Sequence, residues 1–155
     1  MGADIRVSII MGSKSDDEHM KPTYDLLDRF EIGWEKRVLS AHRQPDALLA
    51  YVKEKNNSNV QVFVTAAGLA AALPGVVAAH TIRPVIGVPV PGGPLNGMDA
   101  LLSIVQMPGG IPVATVGLGS NGPKNAAMLC VHILALSDDG LRSKLVSYRD
   151  ELSRG

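Results

Sequence analysis

The sequence predicts an α/β fold, a three-layer sandwich with one parallel sheet between helices, in a single domain spanning residues 1–155. Three observations predict it. Short apolar, β-branched runs alternate five times with helical patterns. The connections between them are short and rich in Gly, Pro, Ser and Asp. Of the 155 residues 46% are hydrophobic, which supplies a sizeable core at the commonest size of one domain. Alternation of this kind is satisfied economically by parallel strands with a crossover helix after each, covered on both faces.

Taken in order, "IRVSIIM" (Ile5 to Met11) reads as a first strand, and "GSKSDDEHM" as the turn and helix start that follow. That helix is expected from Ser15 to Glu31, with Pro22 accommodated near its first turn or kinking it. "GWEKRVL" (Gly33 to Leu39) is a second strand, and Pro45 stands where a first helical residue belongs, ahead of the helical spacing of "DALLAYVKEK". The third strand is "VQVFVT" (Val60 to Thr65), then "GLAAALPGVVAAH" forms a small-residue loop and helix. "PVIGVPV" is a fourth strand, "MDALLSIVQM" a helix, "IPVATVGL" a fifth strand and "GPKNAAMLCVHILAL" a helix. Residues 138–155 form a charged tail, read as a helix at the surface or at a subunit contact. The sheet is of the flavodoxin or Rossmann kind, in which ligands bind outside the carboxyl ends of the strands. The loops at Gly12, Ser40, Ala66, Pro89 and Gly117 leave those ends.

Composition narrows the function. Lys plus Arg equals Asp plus Glu, so the formal net charge is zero and no broad basic field favours nucleic acid or an anionic membrane surface. The longest apolar run, Leu69 to Ala79, is too short for a spanning helix, and no charged stretch with an apolar signal core opens the chain. The expectation is a cytoplasmic protein with no nucleic-acid or membrane partner. A lone cysteine, Cys130, forms no internal disulfide and no Cys/His metal spacing, so no metal is expected. Cys130 reads as core, and His132 beside it as packed or at an interface. His19 reads as solvated and His80 as a helix end; Asn96 and Asp99 read as caps of the helix after them.

Two loops carry chemistry-bearing residues. In "MGSKSDDE", Gly12 permits close approach, and the hydroxyls of Ser13 and Ser15 with free backbone N–H groups suit a phosphate. An ordinary helix cap explains that loop equally well. In "SAHRQPD", His42 can carry a proton near neutral pH and Arg43 offers a permanently charged fork. The pair suits an anionic substrate that undergoes proton transfer, and a capping turn with a solvated arginine is the other reading. The Gly- and Ala-rich loops offer shape: Gly68 would let a planar ring lie against the backbone.

"GSKSD", "SAHRQPD", "GVPV" and "LLSIVQMPGGIPVATV" stand in one order from Val7 to about Leu136. In that order the chain resembles the family of the phosphoribosylaminoimidazole carboxylase catalytic subunit, or 5-(carboxyamino)imidazole ribonucleotide mutase. The resemblance implies a homo-octamer with sites at subunit contacts, a ribonucleotide substrate of purine biosynthesis, and neither metal nor organic cofactor. It further implies that Ser13, Asp16 and Arg43 bind substrate, that Ser15 and Ser40 support them, and that His42 moves protons. The implied reaction moves a carboxylate from the exocyclic nitrogen to ring carbon 4. A sister branch of the family carboxylates aminoimidazole ribonucleotide directly, and typically has Lys where this chain has Arg43. One loop departs from the mutase pattern: where that pattern is close to "GAGGAAHLPG", this chain reads "AAGLAAALPG", with Leu69 in a glycine position and Ala72 in the place of a histidine. A different class, a non-catalytic flavodoxin-like module for a phosphometabolite or flavin, is disfavoured by the scarcity of aromatics.

Overall fold

In a computed structural model, which describes residues 4–155, the chain forms one sheet of five parallel strands in the order β2-β1-β3-β4-β5. The strands are β1 (Ile5–Met11), β2 (Gly33–Val38), β3 (Val62–Ala67), β4 (Val85–Pro89) and β5 (Ala114–Thr115). A single turn of 3-10 helix (Lys14–Asp16) leads into α1 (Asp17–Arg29). The remaining helices are α2 (Pro45–Asn56), α3 (Leu73–Ala78), α4 (Met98–Val105), α5 (Asn121–Leu134) and α6 (Asp139–Ser153). The order is flavodoxin-like, with its switch point between β1 and β3.

Both faces of the sheet are buried, which is why its central strands read as continuous apolar runs and not as alternation. On one face Val7, Ile9, Val64 and Val88 pack with Met20 and Leu27 of α1 and with Ala127 and Val131 of α5. On the other, Ile10, Phe63 and Val85 pack with Leu48 of α2, Val77 of α3 and Ile104 of α4. Gly87 lets α4 come close: a Cβ there would lie 2.4 Å from Ile104 Cγ2 and 2.8 Å from Val113 Cγ1. Besides Phe63 in the core, aromatics join neighbouring elements. Tyr24 of α1 stacks on Trp34 of β2 at 4.7 Å between ring centroids. The buried Tyr51 hydroxyl lies 2.8 Å from Ser8 Oγ and donates to Glu35 at 2.8 Å, tying α2 to β1 and β2.

Four expectations are corrected. The first α-helix begins at Asp17, after the tighter turn, and ends at Arg29, because Glu31 turns the chain with φ 56°. Pro22 lies beyond its first turn, and the helix runs through it. The third strand is displaced to Val62–Ala67, because its pairing with β1 starts at Val62 opposite Val7 and its pairing with β4 continues to Ala67 opposite Pro89. The fifth strand shrinks to two residues. It is a sheet edge, Pro112 has no N–H to offer, and Gly117 comes two residues after the last paired residue, Thr115.

The tail helix α6 docks on its own chain. Leu141 is buried, Tyr148 meets Phe30 edge-on at 5.5 Å, and Arg29 lies 4.8 Å over the Tyr148 ring. Arg6 pairs with Asp138 at 2.7 Å, where Asp138 also caps α6 by accepting from the Leu141 N–H at 3.0 Å. No helix among the described residues is long and apolar enough to cross a membrane.

Candidate active site

At the switch point the loops after β1, β2, β3 and β4 enclose a pocket of about 560 Å³. Each sequence-predicted site residue lines it: Ser13, Ser15, Asp16, Ser40, His42, Arg43 and Gly68. Local structure explains their placement. Ser13 caps the 3-10 turn, its Oγ accepting from the Ser15 N–H at 3.3 Å, while Asp16 Oδ2 accepts from the Ser13 N–H at 3.0 Å. This reciprocal box is the helix-cap reading of "GSKSD". It also leaves the Ser15 hydroxyl 2.9 Å from Ser13 Oγ, on the pocket wall.

The second loop is capped in the same way. Ser40, itself buried, accepts from the Arg43 N–H at 3.2 Å, and its own N–H donates to Gln44 Oε1 at 3.3 Å. Pro45 then opens α2. The turn holds His42 and Arg43 exposed at the pocket, and Arg43 Nη2 reaches across to donate to the Gly12 carbonyl at 3.2 Å. One guanidinium thus ties the second loop to the first.

Burial raises the pKa of Asp16, opposed by the Ser13 N–H, the Ser15 hydroxyl and the charge of His19. His19 corrects an expectation: it is half-buried, not solvated, and its Nε2 is buried without a hydrogen-bond partner. Burial lowers its pKa, against the pull of Asp16. Cys130 is fully buried and its thiol is pushed up by desolvation, as a core residue should be. His80 Nδ1 lies 2.8 Å from the Val76 carbonyl at the end of α3. His132 is exposed on α5, lining a shallow hollow with Thr115 and Tyr148.

The far walls come from the loops after β3 and β4, through Ala67 to Leu73 and Val90 to Gly93. The second of these was visible in the sequence only as a Pro- and Gly-rich stretch, and none of its residues signals a site by type. Asn96 caps nothing: it has φ 50°, and Gly97 takes the N-cap of α4 with no side-chain bond. Asp99 Oδ1 accepts from the Ala100 N–H at 3.0 Å, inside that helix. A larger hollow of about 910 Å³ opens at the other end of the sheet, by Thr81 to Pro84. There the Arg83 guanidinium is committed to the Asn56 and Ser58 carbonyls, at 2.8 and 3.1 Å, whereas His42 and Arg43 share the switch-point pocket with Ser13, Ser15 and Asp16.

Fold and pocket together define a class, a flavodoxin-like α/β protein with a metabolite-sized site at its switch point. The family is then given by comparison. Residues 6–154 match the family model described as AIR carboxylase, and the chain belongs to that family. It is 48% identical over 147 residues to the N5-carboxyaminoimidazole ribonucleotide mutase of Saccharolobus solfataricus, covering 95% of this chain and 92% of that protein. It is 51% identical over 144 residues to the Bacillus subtilis protein of the same name, covering 93% and 89%. The crystal structure of Treponema denticola PurE superposes with a TM-score of 0.88 at 32% identity, covering 96% and 91% of the two chains.

Proposed function

We propose that this protein is a 5-(carboxyamino)imidazole ribonucleotide mutase of purine biosynthesis, acting in the cytoplasm on a small-molecule ribonucleotide without a cofactor. The observation that carries the reading is the convergence of His42, Arg43 and the Ser13 to Asp16 turn in one pocket at the switch point. The mutase relatives, near half identical over most of the chain, support it.

In the proposed mechanism Arg43 and the hydroxyls of Ser13 and Ser15 grip the ribotide phosphate. Asp16 accepts hydrogen bonds from the ribose hydroxyls, Ser40 holds the His42 turn, and Gly68 lets the imidazole lie against backbone. Loss of carboxylate from the exocyclic nitrogen leaves carbon dioxide and an electron-rich aminoimidazole, held together so that ring carbon attacks before escape. The nitrogen must gain a proton and carbon 4 must lose one. His42, exposed at the pocket, serves both transfers.

The assembly belongs to the same proposal: a homo-octamer whose contacts close the site over His42 and Arg43. An apolar stripe on and just before α4 supports it. Leu95, Met98, Leu102 and Val105 are each between 47% and 59% exposed, more continuous apolar surface than one helix of a monomer usually leaves bare.

Comparing turnover of the carboxyamino compound with turnover of aminoimidazole ribonucleotide plus bicarbonate tests the reaction. The mutase predicts fast conversion of the first and little of the second without ATP. The reverse ranking would make the protein a direct carboxylase.

A further inference from the structure

Leu69 is a bulky residue in a backbone conformation that suits glycine, with φ 53°. Such strain persists where the surroundings enforce it, and it gathers at sites that clamp ligands. Here it lies on the pocket wall and not in the core: the residue is 57% exposed. Leu73 and Val90, the other large aliphatic residues of that wall, are buried in the fold, so Leu69 is the exposed aliphatic chain of the wall, with the ring of Pro91 exposed on the loop after β4. Its isobutyl group reaches the opposite loop. A Cβ built on Gly93 would fall 2.7 Å from Leu69 Cδ2, and Gly93, at φ 62°, carries no side chain that would block it. Behind this contact the walls approach through backbone, since a Cβ on Gly68 would lie 3.2 Å from the Val90 carbonyl oxygen. Leu69 is thus an apolar clasp between the β3 and β4 loops.

We infer that Leu69 is a retention residue, whose isobutyl group walls in the carbon dioxide released during turnover and favours its recapture over escape. The inference rests on the mutase reading. In that reaction the nitrogen–carboxyl bond breaks with its electron pair going to nitrogen, which takes a proton from His42. Ring carbon 4 then gives an electron pair to the carbon of carbon dioxide, forming the new carbon–carbon bond, and its proton returns to His42. Nothing is oxidised or reduced. Between the two steps the migrating group is neutral and weakly hydrogen-bonding, so Arg43 and the serines have little grip on it. Enclosure by an apolar wall, with water kept out, is what holds it beside carbon 4.

The test supplies substrate labelled with ¹³C in its carboxylate, with carbonic anhydrase present to trap escaped carbon dioxide, and measures label in product against label in bicarbonate. Uncatalysed decomposition is subtracted. Leu69→Gly removes both the side chain and the strain; Leu69→Asn keeps a residue that tolerates the left-handed backbone but makes the wall polar. The expected result is that the parent retains most of its label while both variants lose a several-fold larger fraction. Both variants should remain folded by circular dichroism, and label lost is expressed per substrate consumed, so a change in overall rate does not enter the comparison. Unchanged retention in both folded variants, with an active parent, would overturn the role of Leu69 alone. A parent that does not consume the carboxyamino compound would overturn the mutase reading and this inference with it.

Discussion

Asp16 is the pocket carboxylate whose ionisation the fold opposes, and that gives it a testable sign. Burial leads its causes and raises its pKa, so the folded chain holds the proton more tightly than the unfolded one. Ionised Asp16 therefore subtracts stability above the folded pKa, and the deficit disappears as pH falls below the unfolded value. Asp16→Asn keeps an oxygen for the Ser13 N–H, so it should melt at or above the parent temperature at neutral pH and lose that advantage in acid, by calorimetry across pH. Its kcat/KM should fall about tenfold with the lost ribose contact. Arg43→Ala should raise KM about 10- to 100-fold in steady-state kinetics, since it removes a charge-assisted grip on phosphate as well as the tie to Gly12. At this scale the sequence was informative where residue type is unusual for a loop, as in His42 beside Arg43. It was fainter where function depends on backbone: the residue types of "GLAAA" do not announce that Leu69 has a positive φ, and the sign of it was the glycine that the mutase pattern has there. Nor did helical spacing reveal that His19 would have a sealed Nε2, because spacing shows which residues share a face and not what later covers them.

Elements were legible wherever burial forced a run of apolar residues, as in β1, β3 and β4, or where a cap marked a helix start, as at Pro45. They were poorly legible at the sheet edge. β5 has one neighbour, and Pro112 and Gly117 bracket its pairing too closely for the whole apolar run to join the sheet. The close seat of α4 on β4 makes a further prediction. Gly87→Ala would drive a methyl into Ile104 and Val113, which should destabilise the fold by about 1–3 kcal/mol in chemical denaturation. Pairing it with Ile104→Ala, which removes the clashing Cγ2, should cost less than the two single losses summed.

For the whole molecule, strand–helix alternation with short connections picked out the carboxyl-end loops before any contact was known, since a parallel sheet gathers them on one side; the order β2-β1-β3-β4-β5 then puts the pocket at the switch point. Assembly left a fainter trace: α4 carries apolar residues for more than one face, and periodicity alone does not divide core from contact. In the octamer proposed above, Leu102→Asp should shift the mass in light scattering from eight subunits toward smaller species, and activity should fall with it while far-ultraviolet circular dichroism stays the same. The central claim is that His42 moves the protons of a carboxyl transfer carried out in this pocket. The most direct measurement is the turnover of carboxyamino substrate by His42→Asn at matched folding and assembly. The account predicts a loss of about 100-fold or more, the usual contribution of a general acid–base group, with the melting temperature unchanged because the side chain is exposed. Near-normal turnover by this variant would contradict it.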